Sequence, residues 1–156
     1  MSPIDPTGKA TDTAPIGIYW HPQTLNDARA AYALDIEQNE TGPETFALWI
    51  ADAIDRYAQL TPQQRADIVD TLPNPARAGE GLNRPFIVPL ETIHAAEDAC
   101  KMDQGALGKN RGISTLAYEA ARAKTEQARA ANGGTLAPAG PGRLPTRARA
   151  RQRRRR

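Results

Sequence analysis

Ala14-Pro15-Ile16-Gly17-Ile18-Tyr19-Trp20-His21 is the stretch on which the fold turns. Ile16, Ile18 and Trp20 alternate with Gly17 and Tyr19, the two-residue period of a strand with one buried face. A lone strand leaves its outer N–H and C=O groups unpaired, so this one needs a partner. The second extended candidate is Asn83-Arg84-Pro85-Phe86-Ile87-Val88-Pro89, bounded by prolines and far away in the chain.

Outward from the first strand, the sequence turns helical. Pro22 suits a first helical position, where its missing N–H costs nothing. Leu25, Ala28, Tyr32 and Ile36 then follow at helical spacing to about Gln38, and Asn39 to Glu44 is a turn. Phe46, Trp49, Ile50, Ala53, Ile54 and Tyr57 form one unbroken apolar stripe. Thr61-Pro62-Gln63-Gln64 opens another helix, with Thr61 and Gln64 placed for a capping box. Ile68, Val69 and Leu72 give it an apolar edge, and Pro73-Asn74-Pro75 ends it. Around the second strand the plan recurs. Ile93, Ala96 and Cys100 begin a stripe, Gly105 to Gly112 reads as a turn, and Ser114 or Thr115 can cap a last helix to about Ala131. Gly133-Gly134 stops it.

The two halves align. Thr24-Leu25 matches Thr92-Ile93, and Ile18, Tyr19 and Trp20 fall on Phe86, Ile87 and Val88 at the same offset. Past the turn the offset grows by two residues. Gly42 then meets Gly112, Thr45 meets Thr115 and Phe46 meets Leu116. An insertion in a turn is the cheapest kind.

Charge is distributed unevenly. Of 20 Lys and Arg, eight arginines (Arg143, Arg147, Arg149, Arg151, Arg153, Arg154, Arg155 and Arg156) lie in the last 14 residues, with no acid among them. The body therefore carries about −6 and the tail about +8. A dense acid-free run is the electrostatic footprint of a nucleic-acid contact. Hydrophobic residues are 40% of the chain and aromatics 5%, so a core must lean on Ala, Leu and Ile. No run of eighteen apolar residues exists, so no membrane span is expected. Met1 to Pro6 lacks a secretory pattern, and Cys100 is the single cysteine, which points to a reducing cytoplasm. His21 and His94 have no neighbours at metal-ligand spacing, and no nucleophile–base order is visible. No catalytic residue, metal or cofactor is expected, and Cys100 reads as a packed thiol.

Strand, helix, glycine turn and helix in under fifty residues resembles the ribbon-helix-helix family of Arc- and MetJ-like repressors. The resemblance rests on Ile16 to Trp20, Leu25, Gly42-Pro43-Glu44-Thr45 and the stripe from Phe46 to Tyr57. It implies a mainly α fold with a two-stranded antiparallel ribbon, two halves of one chain forming a pseudo-dimer. The expected organisation is a disordered N-terminus (1–13), repeat 1 (14–61), a linker helix and loop (62–82), repeat 2 (83–132) and a disordered Arg-rich tail (133–156).

The resemblance also implies function: a ribbon in the DNA major groove, as in a transcriptional repressor, a plasmid partition or conjugation accessory factor, or an antitoxin. Ile16, Ile18, Trp20, Phe86 and Val88 would face inward. Gly17, Tyr19, Pro85 and Ile87 would face outward, with Gly17, Tyr19 and Ile87 against the bases together with Asn83 and Arg84 at the strand entrance. Phosphate contacts would come from Thr45, Lys109, Arg111, Ser114 and Thr115 around the second-helix N-termini, and from Arg147, Arg149, Arg151, Arg153, Arg154, Arg155 and Arg156. Glu44 beside Thr45 would repel a phosphate, so the second repeat is the expected anchor. DNA is the expected partner, and a homodimer or partner protein is also open. The alternative is a non-enzymatic helical adaptor whose acidic body binds a partner protein, with the tail tethering it to nucleic acid.

Overall fold

In the computed structural model, which describes residues 12–74 and 81–155, the two extended segments lie side by side. β1 (Thr13–Trp20) and β2 (Leu82–Pro89) pair antiparallel, Thr13 opposite Pro89 and Trp20 opposite Leu82. Both strands are longer than their apolar cores suggest. Thr13 and Leu82, expected in the disordered N-terminus and the linker, are paired strand residues. Within those two segments, residues 1–11 and 75–80 lie outside the described residues.

Each strand feeds a helical pair. β1 leads to α1 (Pro22–Gln38) and α2 (Phe46–Ala58), and β2 leads to α4 (Leu90–Leu107) and α5 (Ile113–Ala131). The linker contributes α3 (Pro62–Thr71), opened by the expected capping box of Thr61 and Gln64. α1 packs mainly on α5, and α4 mainly on α2, so each half rests its first helix on the other half's second. The apolar stripes thereby bury one another, which is what stabilises helices of this length. The fold is mainly helical with one two-stranded sheet, and no described helix is long and apolar enough to cross a membrane.

Ile16, Ile18, Trp20 and Val88 are buried on the inner ribbon face. Trp20, Tyr32, Phe46, Trp49, Phe86 and Tyr118 form one connected aromatic cluster, with ring centroids 5.6–6.1 Å apart. Tyr57 is buried beside it, so of eight aromatics only Tyr19 points outward.

Two regions depart from expectation. The segment from Gly105 to Leu107 continues α4, and the chain turns only at Gly108, whose φ of 66° suits a residue without Cβ. The tail, expected to be disordered, forms α6 (Arg147–Arg154) against α1. Composition alone argues against an arginine helix, because like charges repel and eight residues make a marginal helix. Thr146 caps it by accepting from Arg149 N, and Arg147 anchors it in the body.

Candidate nucleic-acid interface

The outer ribbon face is built by what is missing as much as by what is present. Gly17 has no side chain, and the Asn83 carboxamide leans into that space, Oδ1 lying 3.2 Å from where a Cβ would stand. Gly81 lies under the Tyr19 ring, which a Cβ there would meet at 2.1 Å. Tyr19 is 64% exposed and Ile87 56%. Asn83, Arg84 and Pro85 are exposed between them. Gly17, Tyr19 and Ile87 thus lie on the outward face the sequence placed them on, and Asn83, expected at the strand entrance, joins them there opposite Tyr19. Arg84 opposes buried Ile18 in the register, so it does not share that outward face, although it is exposed.

One flank of this face is the N-terminus of α5. Its N-cap is Gly112, with no side-chain cap, and Leu116 N to Gly112 O is the first helical bond. The first-turn N–H groups of Ile113, Ser114 and Thr115 have no helical acceptor, the arrangement that favours an anion. Ser114, expected as a cap or phosphate ligand, donates its hydroxyl to Gly17 O and fastens the helix start to the ribbon. Thr115 is exposed and Lys109 half-buried.

Arg111, expected as a phosphate contact, is engaged inside the protein. Its side chain is buried and pairs with Asp103 at 2.7 Å and Glu119 at 2.9 Å. Arg65, 1% exposed, takes the other side of Asp103 at 2.6 Å and donates to the Tyr57, Ala58 and Leu60 carbonyls at the end of α2. Tyr57 Oη donates to Glu119 at 2.9 Å. Burial alone would raise the Asp103 pKa, but hydrogen bonds from Arg65 and Arg111 outweigh it and hold the carboxyl below its ordinary range. Burial, reinforced by Glu119, pushes the Tyr57 hydroxyl far up, so it stays a neutral donor. This network fixes the loop that presents α5.

The opposite flank, the N-terminus of α2, is closed. The Thr45 hydroxyl accepts from Leu48 N and is engaged as a cap. Arg147 is also withdrawn from solvent, 1% exposed. It donates to Asp35 Oδ2 at 2.9 Å, to Pro43 O at 3.1 Å and to Asn39 O. Gly42 leaves room for it: φ is 147°, and a Cβ would fall 2.7 Å from the guanidinium. Arg151 pairs with Glu44 at 3.1 Å, and Arg154 donates to Ile36 O at 2.5 Å. Arg149, Arg153 and Arg155 are exposed; Arg156 lies outside the described residues.

No family model, curated protein or solved structure matches this chain. Away from the ribbon, His21 Nδ1 accepts from Gln23 N and caps α1, a role the sequence did not suggest. Cys100 is partly buried, and burial pushes its thiol pKa up.

Proposed function

We propose that this chain binds duplex DNA as a single-chain ribbon-helix-helix unit, its two strand–helix–helix halves acting as a tandem repeat. The outer ribbon face enters the major groove, and the backbone amides at the start of α5 hold a flanking phosphate. The observation that carries this reading is the pairing of β1 with β2, with helices packed behind one face and the other left open. Eight residues of paired strand span about 27 Å, and a two-stranded ribbon fits a groove about 12 Å wide. Asn83 is the principal base reader, since a carboxamide pairs with adenine through two hydrogen bonds. Tyr19 adds a hydroxyl, and Ile87 supplies apolar contact for a thymine methyl. Such a module serves a repressor, a partition or conjugation accessory factor, or an antitoxin.

The test is selection of binding sites from a random duplex pool by the full chain and by Asn83→Ala. The intact protein should enrich a short motif containing adenine. The variant should lose discrimination at that base by about 1–3 kcal/mol. A second reading draws on the apolar character of Tyr19, Pro85 and Ile87 and the acidic body: an adaptor that docks a partner protein, with the tail on nucleic acid. Salt-sensitive binding with no enriched motif in either protein would favour it.

A further inference from the structure

We infer that α6 is a docked phosphate-binding helix that supplies, beside the first half, the anion site that the start of α2 lacks. This rests on the DNA-binding reading, and its ligand is the sugar–phosphate backbone of the same duplex.

The helix has two faces. Arg147, Ala150, Arg151 and Arg154 recur at the helical interval and meet the body: Arg147 is buried, Ala150 packs on the core, and Arg151 and Arg154 bind Glu44 and Ile36 O. The Arg147 N–H also donates to Glu44 O at 2.9 Å, and Tyr32 Oη donates to Pro145 O at 2.7 Å. Arg149 and Arg153 lie on the other face. With Arg143 and Arg154 they line a cleft of about 540 Å³ against Ala33, Ile36 and Glu37 of α1. Among the described residues, the guanidinium groups of Arg143, Arg149 and Arg153 have no hydrogen-bond or ion-pair partner.

The placement bears on the ribbon. Arg147 N is bonded two residues before Phe46, the first residue of α2, and the Phe46 ring meets Phe86 of β2 at 5.6 Å. Without α6 this corner would be acidic, carrying Asp35, Glu37, Glu40 and Glu44. Seven described arginines from Arg143 to Arg155 reverse its sign. A free arm would lose conformational entropy on ordering at each residue when DNA binds. A helix already docked has met that cost in folding, so its charges are preorganised.

Full-length proteins are titrated with a mixed-sequence duplex by fluorescence anisotropy over a salt series. R149Q/R153Q should lower the slope of log affinity against log salt by about two, near 0.9 per lost phosphate contact. Arg147→Met removes no outward charge but undocks the helix, and should weaken binding by at least tenfold. In the free wild-type protein the Arg147 and Ala150 amides should exchange slowly, because they donate to Glu44 O and Thr146 O. An unaltered slope in R149Q/R153Q, or unaltered affinity in Arg147→Met, would overturn the inference and leave the DNA-binding reading standing. Rapid exchange of both amides would do the same, even if Arg147→Met fails to fold. No binding by the wild type would overturn both.

Discussion

The two flanks of the ribbon begin from the same plan and end in opposite states. At α5 the helix starts at a bare glycine, Gly112, and leaves its first amides to solvent or ligand. At α2 the helix starts at Thr45, whose hydroxyl caps it, next to a carboxylate and under a basic helix. An open helix start can hold an anion with backbone amides alone. A capped and acidic start needs added cations to do so. On the DNA-binding reading proposed above, the comparison teaches that one chemical task, gripping a phosphate beside a groove, can be met by removing a side chain or by adding a helix.

The largest expected effect comes from dismantling the support of the open flank. Asp103→Ala leaves Arg65 and Arg111 buried around a lost carboxylate and should cost about 3–5 kcal/mol in urea unfolding. The same carboxylate makes the fold acid-sensitive. Its folded pKa lies below its unfolded value, so the unfolded chain binds the extra proton first. Its stabilisation is full above about pH 4 and is lost as pH falls through the folded pKa. Stability measured from pH 6 to pH 3 should fall less steeply in Asp103→Ala than in the wild type.

On the closed flank, Arg147→Met leaves Asp35 and the carbonyls of Asn39 and Pro43 without their donor. The expected loss is about 1–3 kcal/mol by thermal unfolding. Thr45→Ala removes only the cap and should cost about 1 kcal/mol. If the two flanks responded equally to cap changes, the contrast between them would collapse.

Much of this was legible in the residues. Alternation at Ile16, Ile18 and Trp20 placed the ribbon and its faces, because a strand's period admits only two sides. The stripe from Phe46 to Tyr57 placed the helical core. The buried arginines were not found, although a signal existed. Arg65 stands at the helical interval before Ile68, Val69 and Leu72, and Asp103 continues the line of Thr92, Ala96 and Ala99. A charge that continues an apolar stripe is a candidate for a buried pair. α6 was hidden for a different reason. Its stability comes from Asp35, Gly42 and Glu44, about a hundred residues earlier in the chain, and no local pattern carries that information. The pairing of Arg111 was hidden in the same way, since proximity in sequence to a helix start said nothing of Asp103 and Glu119.

Gly112→Asp tests the central claim most directly. Gly112 has extended backbone angles and nothing within 4 Å of a Cβ, so an aspartate fits without strain. As an N-cap it should raise stability by a few tenths of a kcal/mol, while its carboxylate fills the proposed phosphate position. With thermal unfolding and anisotropy measured on one preparation, the account predicts an unchanged or higher Tm together with at least a tenfold loss of duplex affinity. Undiminished affinity in that stable variant would contradict it.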